Sequence, residues 1–510
     1  MSRSARQWEA WVVIGLLMLT LFSRVPFRSQ ILYHWDSVNF AFGMREFSVA
    51  KEQPQPPGYI VYVWLCRLVD VLFHDPQTTM VWISVVASAL AVGALFLLGR
   101  ALFDGRIGVL AALFLATSPL YWFYGEIALP HSLDALLVIA AVWGLYETMR
   151  GRLCYLYPTM AVLAIAGGVR QQTLIFLLPL TLFALRKVGW KHFLAAGALG
   201  TAMCLAWFIP LLALSGSLDP YLKTVGAYSA RFNATTSIFA GAGWAGVRRN
   251  LSKLGLYTLF GWSAALPPFV AWAAVAMRSC QWTKNWEKPF FFVLWLAPAG
   301  LFYTFVHMGQ QGLVFIFLPA LLLLSAAGLV RLLAARPRWL VAAAAIIVTV
   351  NTGILGLVPE YPLGPGTQRL LTRETLVNSD RYYQDRFEAI EGNFAPASTA
   401  ILAAHWHHVE YYLPAYARLP FNVGTKWERD EGAPKGSAQE VVATPAQLGL
   451  RPDDRGQATI VVFDPQLMTF SASPALASEL PLPNGETLQY FTLADGQTFF
   501  YDPQAFGVMR

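Results

Sequence analysis

Asp36 stands a few residues after the first apolar run, within His34-Trp-Asp-Ser-Val-Asn-Phe40. At helical spacing Asp36, Asn39, Phe40 and Gly43 share a face, and Trp35 flanks the carboxylate. A carboxylate backed by aromatic side chains and partly desolvated can act as general base toward a hydroxyl or amine. Asp is equally a favoured helix-capping residue. A second acid, Glu126, lies in Tyr124-Gly-Glu-Ile-Ala-Leu-Pro-His131, where Glu126 and His131 could face Asp36 across a cavity or form a solvated loop. Arg170, Arg231, Arg248 and Arg249 carry guanidinium groups that pair bidentately with phosphate. For Arg248 and Arg249, contact with lipid headgroups is the simpler reading. Arg170 sits where an apolar helix is interrupted by Gly167-Gly-Val-Arg-Gln-Gln172, which favours a functional role. His405-Trp-His-His408 suits a helix face only in part and adjoins one acid, Glu410, so no metal is assigned to it.

The chain has 510 residues, 56% hydrophobic and 13% charged. Many apolar stretches have the length of about 20 residues that crosses a bilayer as a helix. Candidate spans cover 8–27, 78–99, 106–124, 129–149, 155–169, 172–186, 192–214, 251–277, 289–306, 311–333 and 338–358. Basic residues gather in alternate loops (Arg3/Arg6, Arg100/Arg106, Arg150/Arg152, Arg186/Lys187/Lys191, Arg278/Lys284/Lys288, Arg331/Arg336/Arg338), which places those loops inside. The net charge of +7 is then an orientation signal, not a nucleic-acid one. The first span has no small-residue cleavage site after it and reads as retained. Segment 58–74 carries Arg67, Asp70 and His74 on one helical face, and crossing there would invert the downstream charge pattern. It reads as an amphipathic helix in the interface, introduced by the rigid Pro54-Gln-Pro-Pro-Gly58. These features predict a polytopic α-helical membrane protein with about 11 transmembrane helices, N-terminus in and C-terminus out.

Residues 359–510 have no spanning stretch. A polar helix is expected over 372–391, strands over 399–403, 458–463 and 497–501, a short helix over 406–413, and a charged loop over 424–436. This is a small C-terminal extracytoplasmic α/β domain (359–510) following a membrane domain (1–358) whose outer loop holds juxtamembrane helices over 28–77. Four scattered cysteines, Cys66, Cys154, Cys204 and Cys280, form no metal motif and leave the C-terminal part without disulfides.

An Asp in the first outer loop, the Pro56-Pro-Gly-Tyr59 lead-in, Leu97-Leu-Gly-Arg-Ala-Leu-Phe103 closing the next span and Ser118-Pro-Leu-Tyr-Trp-Phe-Tyr-Gly-Glu126 ending another together define an order. Over about residues 8–190 it resembles the GT-C membrane glycosyltransferases, in the branch of protein O-mannosyltransferases and lipid A aminoarabinose transferases. The resemblance implies a GT-C-like fold and transfer of a sugar from a polyprenyl-phosphate donor to a glycan, lipid or protein acceptor on the outer face of a cell inner membrane. It makes Asp36 the catalytic base and Glu126 a second catalytic acid. It gives Arg170, with Arg231 or His307, the donor phosphate, and Trp35, Asn39, Gln55, Pro57, Tyr59 and His131 the positioning of acceptor and loop. Members often have a second acid where Ser37 stands, a His or Lys where Gln55 stands, and Arg-Tyr where His307-Met-Gly-Gln-Gln-Gly312 stands. No cofactor is implied and a divalent metal is left open. No phosphate-cradling loop for a nucleotide is present, and the expected partners are the lipid-linked donor, the acceptor and membrane lipids, with no nucleic acid. A transporter or lipid flippase is the alternative. It predicts broken helices at corresponding positions of two halves, and the sequence offers one break, at 167–172.

Overall fold

The computed structural model describes residues 3–278, 286–362, 369–404, 406–421, 441–453, 456–494, 496–502 and 505–509. The expected loop over 424–436, together with His405 and Cys280, lies outside them. The chain divides into two compact units: residues 1–30 with 43–376, and residues 31–42 with 377–510. The segment carrying Asp36 goes with the C-terminal unit. Backbone N–H groups explain this: Ile31 donates to Asp380 Oδ1 (3.1 Å) and Leu32 to the Tyr412 hydroxyl (3.0 Å).

The helices begin with α1 (Arg3–Arg24), α2 (Trp35–Arg45), α3 (Ile60–Phe73), α4 (Pro76–Leu102), α5 (Gly105–Thr117) and α6 (Pro119–Tyr124). They continue with α7 (His131–Met149), α8 (Leu156–Val169), α9 (Gln171–Leu185), α10 (Trp190–Leu214), α11 (Leu218–Thr236) and α12 (Gly243–Trp262). Then follow α13 (Leu266–Arg278), α14 (Glu287–Phe305), α15 (Leu318–Leu332) and α16 (Pro337–Leu357). Among the described residues seven helical stretches are long and apolar enough to cross a membrane, and four shorter apolar helices (Gly105–Thr117, Leu153–Val169, Gln171–Leu185 and Leu318–Leu332) accompany them. The chain is a polytopic helical membrane protein. The interfacial segment is helical, as α3: Arg67 donates to the carbonyls of Met44 and Gly43 (both 2.9 Å), Asp70 accepts from Thr79, and Leu68, Val71 and Leu72 stay exposed.

Local sequence explains where these helices start and pack. Asp75 caps α4 by accepting from the Thr78 N–H (2.8 Å), with Pro76 in the first turn. Asp104 caps α5 by accepting from Arg106 and Ile107. Between these two helices Gly99 meets Gly108 so closely that a Cβ on Gly108 would stand 2.6 Å from the Phe96 carbonyl. Small residues let apolar helices approach in this way.

Three expected spans are interrupted: that over 311–333 opens as a 3-10 helix (Gln311–Ile316) before α15, and two others break into separate helices. The span over 106–124 breaks at Ser118-Pro119 into α5 and α6. The span over 251–277 begins earlier, at Gly243, and breaks at Ser263, whose φ of 47° is left-handed. Proline lacks an N–H and clashes with the preceding turn, which accounts for the first break. At the Ser263 break side chains meet the freed backbone: Ser118 Oγ donates to Gly261 O (2.6 Å) and Asn351 Oδ1 accepts from Ala264 N–H (3.1 Å). A further helix, α11, was not expected; it is polar on one side and reads as a loop from hydropathy alone.

The C-terminal unit contains most of α17 (Arg373–Asn393), then β1 (Thr399–Ala403), α18 (Trp406–Tyr412), β2 (Ala417–Pro420), β3 (Val441–Ala443), β4 (Ala458–Val462), β5 (Ser478–Pro481), β6 (Thr487–Leu493), β7 (Thr498–Tyr501) and β8 (Phe506–Met509). One sheet has the order β2-β1-β4-β6-β5, with β1 parallel to β2 and β4 and the rest antiparallel; β3-β7-β8 form a second. Alternate residues of β1 enter opposite cores. Ala400 and Leu402 join Phe491, Phe499 and Phe506, while Ile401 and Ala403 join Tyr383, Phe387 and Ile390 of α17. A strand buried on both faces reads as a continuous apolar run, which is why β1 and β4 are legible while the half-exposed β2, β5 and β8 are not.

Arg386 of α17 is buried and donates to Phe463 O (3.0 Å), Tyr382 O (3.0 Å) and Glu486 Oε2 (2.7 Å). Arg386→Met is expected to destabilise the C-terminal unit by about 2–3 kcal/mol, since bonds to a charged donor are worth roughly that. Temperature-dependent limited proteolysis of the full-length protein, followed at sites after residue 377, checks it.

Candidate active site

The lead-in to α3 is a folded turn tied to two other helices. Ser48 and Gln53 exchange backbone hydrogen bonds (2.6 and 2.9 Å), and Gly43 packs so tightly on Pro54 that a Cβ would stand 2.9 Å from its nitrogen. Gly58 has φ 109° and Tyr59 φ 43°, so the chain reverses immediately before the helix. The Pro57 carbonyl accepts from the Tyr221 hydroxyl of α11 (3.1 Å) and from Gln171 Nε2 at the start of α9 (3.4 Å). Gln55 is buried beneath this turn.

The break between α8 and α9 lies at Arg170, which has extended backbone (φ −153°, ψ 105°). Its guanidinium is buried and donates to Asp134 Oδ2 of α7 (3.3 Å), to the Tyr303 hydroxyl of α14 (2.9 Å) and to Gln172 Oε1 (3.0 Å). Thr173 donates to the other Asp134 oxygen (2.7 Å). The position of the break agrees with the sequence, and the guanidinium there has Asp134 as an internal partner. His131, at the start of α7, is buried rather than solvated: its Nε2 lies 2.7 Å from Gln310 Oε1, and its ring meets Tyr124 edge-on. A Cβ on Gly312 would stand 2.7 Å from that imidazole, so glycine is required there.

Other expected site residues have internal partners as well. Glu126 is fully buried, accepts from Trp122 Nε1 (2.7 Å) and feels the charge of the buried Arg24, which stacks 4.8 Å over the Trp122 ring. Of the two alternatives, its burial excludes the solvated loop. Arg231 forms an ion pair with Glu52 and lies 4.8 Å over the Tyr228 ring. His307 Nδ1 sits 3.2 Å from Thr236 Oγ1, and burial together with Arg249 and Lys253 holds its imidazole down at about 4. It is neutral near pH 7. Around it lie two basic residues of α12, Arg249 and Lys253.

In the C-terminal unit, α2 starts from His34, whose carbonyl accepts from Ser37 N–H (2.8 Å) and Val38 N–H (3.3 Å). Asp36 is therefore in the first turn and is not the capping residue. A carboxylate there is favoured by the helix dipole. Asp36 N–H donates to His34 Nδ1 (3.1 Å), and Asp36 Oδ2 lies 3.6 Å from the same nitrogen. Its side chain is 14% exposed. Trp35 is exposed and meets His407 edge-on at 5.6 Å, and Asn39 is buried. His408 Nε2 sits 2.7 Å from Leu32 O and stacks on Tyr383. Among the described residues no three His, Cys, Asp or Glu side chains gather as metal ligands. The structure thus groups Trp35, Asp36 and Asn39 in one unit and Gln55, Pro57, Tyr59, Glu126, His131, Arg170, Arg231 and His307 in the other.

Asp134, Tyr303 and Lys253 were not expected as site residues, and Arg249 was read chiefly as a lipid-headgroup contact. A carboxylate in the first turn of the largely apolar run 131–149, and two cations four apart near the start of another, are the signals that point to them.

A family model described as dolichyl-phosphate-mannose-protein mannosyltransferase matches residues 54–213, from the proline-rich turn to the end of α10. No curated protein matches the chain. Among solved structures, ArnT from Cupriavidus metallidurans bound to undecaprenyl phosphate aligns at TM-score 0.58 and 12% identity, over 96% of this chain and 99% of that one. The oligosaccharyltransferase of Archaeoglobus fulgidus in the apo form aligns at TM-score 0.52 and 12% identity, over 87% and 70%. The same oligosaccharyltransferase tethered to an acceptor peptide containing the NVT sequon aligns at 0.51 and 11%, over 94% and 73%. The fold is the GT-C fold that these transferases share.

Two outcomes test the geometry. Asp134→Asn should cost about 3–5 kcal/mol by leaving Arg170 buried and unpaired, and Asp134→Leu with Arg170→Met should recover most of the loss; thermal melting in detergent compares the three. Because folding holds His307 below its usual 6.5, its contribution is present above pH 6.5 and is lost as pH falls from there toward 4. His307→Asn should shrink the drop in melting temperature between pH 7 and pH 5.

Proposed function

We propose that the protein is a glycosyltransferase that takes a sugar from a polyprenyl-phosphate donor and gives it to a glycan, lipid or protein acceptor at the outer face of the membrane. The observation that carries this reading is the likeness over 96% of the chain to an ArnT bound to undecaprenyl phosphate, joined to the family match over residues 54–213. The oligosaccharyltransferase with its tethered acceptor peptide supports a protein among the possible acceptors. The N-terminus is inside and the C-terminal unit outside, as the alternation of basic loops favours.

In this reading Asp36 takes the proton from the acceptor hydroxyl or amine. The acceptor atom forms its bond to the anomeric carbon as the bond to the phosphate oxygen breaks, and the sugar carbon inverts. The departing oxygen keeps the electron pair, so negative charge grows on the phosphate and cations nearby stabilise it. The Asp36 position supports the role of base: the side chain is mostly but not wholly buried, next to His34 and an exposed tryptophan. Gln55, Pro57 and Tyr59 hold the turn before α3, and Glu126 and His131 hold the chain between α6 and α7. These roles are positional, since each side chain or carbonyl is already engaged in or buried beneath the fold.

A transporter remains the competing reading. Breaks at Ser118 and Ser263 join the one at Arg170, so interrupted helices no longer separate the two readings; the family match over residues 54–213 supports the transferase. Label transfer from a panel of polyprenyl-phosphate sugars in proteoliposomes decides. Wild type should give product, and Asp36→Asn should reduce the rate by at least about 100-fold while folding is retained, the size expected for losing a general base. Near-normal transfer by Asp36→Asn would remove Asp36 from the mechanism, and lipid movement without product would favour the transporter.

A further inference from the structure

Trp406-His-His-Val-Glu-Tyr-Tyr412 forms α18, and residues four apart on a helix share a face. His408 and Val409 are buried in the C-terminal unit. His407 and Tyr411 meet the segment that carries Asp36: His407 lies edge-on to Trp35 at 5.6 Å, and Tyr411 edge-on to Phe42 at 5.5 Å. Trp406 and Glu410 form a third stripe, on the side of β2. Together with Pro414, Tyr416, Arg418 and Pro420 they line a cleft of about 410 Å³. The transfer step described above makes no use of it.

The lining selects a ligand class. Glu410 and Arg418 form an ion pair on the wall, with side chains 27% and 36% exposed. Their charges cancel, so an anion gains little there. The pair offers acceptors on one side and a fork of N–H donors on the other, which suits hydroxyl groups that both donate and accept. The Trp406 ring is partly buried and stacks on His407 at 3.7 Å, which fixes its plane. Tyr416 spends its hydroxyl inward, donating to Phe394 O (2.8 Å), so it gives the cleft an apolar ring. Pro414 and Pro420 stiffen the rim. Pro420 also lacks an N–H, so an extended peptide laid beside β2 loses a ladder bond there. A ring with C–H faces and a hydroxyl edge meets all of these terms, since C–H groups pack on the negative face of an aromatic ring. Small-ligand pockets span about 300–1,000 Å³, and this one suits a short saccharide.

We propose that the cleft between α18 and β2 binds a neutral sugar of the acceptor, and that the acceptor is therefore a glycan. This rests on the transferase reading. His407 and Trp35 stand in ring contact between Trp406 and the residue beside Asp36, so the sugar in the cleft is a neighbour of the one that reacts. The same short helix thus holds the Asp36 segment on one stripe and the acceptor on the next. Its part is selection of the acceptor, not the bond change itself.

The test follows saturation transfer by NMR from the full-length protein in phosphatidylcholine nanodiscs to soluble probes. These are neutral disaccharides and trisaccharides of glucose, galactose, mannose and N-acetylglucosamine, a disaccharide containing glucuronic acid, inorganic phosphate and a proline-rich peptide. At least one neutral saccharide should bind with Kd of about 1 mM or tighter. Trp406→Ala should weaken it at least about tenfold, and Trp406→Phe, which keeps an aromatic face, should retain most of it. Glu410→Gln should weaken the neutral sugar and, by removing the counter-charge of Arg418, strengthen binding of the glucuronic acid disaccharide at least about fivefold. A merely structural role gives no such gain, which decides the matter even where Trp406→Ala fails to fold. In transfer to a glycan acceptor, Trp406→Ala should raise the acceptor KM at least about tenfold with kcat nearly unchanged.

Failure of every neutral saccharide to bind, binding untouched by Trp406→Ala, or a preference for the peptide or for phosphate would overturn the assignment. So would transfer to a peptide or a sugar-free lipid with the acceptor KM unmoved in Trp406→Ala. The transfer assay run in parallel keeps the two ideas apart. Product from wild type with no saccharide bound sinks only the cleft. Saccharide binding with no product from any donor sinks the transferase reading, and the acceptor role with it, and leaves a sugar-binding cleft of another purpose.

Discussion

Every interruption of an apolar helix leaves backbone groups and charges that a bilayer cannot solvate, and the helical unit is organised around meeting that demand from within. At the α8–α9 break the buried Arg170 is met by Asp134, Tyr303 and Gln172, which draws α7, α9 and α14 to one point. At the other breaks, Ser118 reaches Gly261 and Asn351 reaches Ala264. The broken helices, which hydropathy alone reads as weak spans, are where the fold is most heavily cross-linked. The proline-rich turn obeys the same rule, since the Pro57 carbonyl, unable to pair within a helix, is taken up by Tyr221 and Gln171.

That constraint also separates two sorts of basic residue. Arg170, Arg231 and Arg386 each have a carboxylate close by and serve the architecture. Arg249 and Lys253 have no carboxylate oxygen within 4.0 Å among the described residues. The distinction rests on pairing, which a list of basic residues does not contain.

Much of the architecture was legible in the chain. Apolar run length marks nearly every long helix, the Gly167-Gly-Val-Arg break falls where the structure has it, and β1 and β4 stand out as short continuous apolar runs. The spans over 106–124 and 251–277 were read as unbroken because the residues flanking Ser118-Pro119 and Ser263 are as apolar as the helices themselves. Helix α11 was missed for the opposite reason, as its mixed faces average to a loop. In the site, types and positions were legible but partners were not. Glu126 looked like a loop acid since nothing local announces that Arg24 and Trp122, one of them about a hundred residues away, enclose it. Asp134 was passed over as a polar residue in the first turn of an apolar span, although a carboxylate there is itself the signal.

Residues 31–42 pair with a partner made very much later. Ile31 bonds to Asp380, 349 positions on. At translation speeds of roughly 5–20 residues per second, this segment waits on the order of 20–70 s before its partner exists. During that interval the exposed Ile31, Leu32 and Phe40 have neither their own core nor a place in a span. The chain therefore has a built-in delay between inserting its first helices and completing the unit that holds Asp36, and whatever shields that short stretch meanwhile acts before any substrate does.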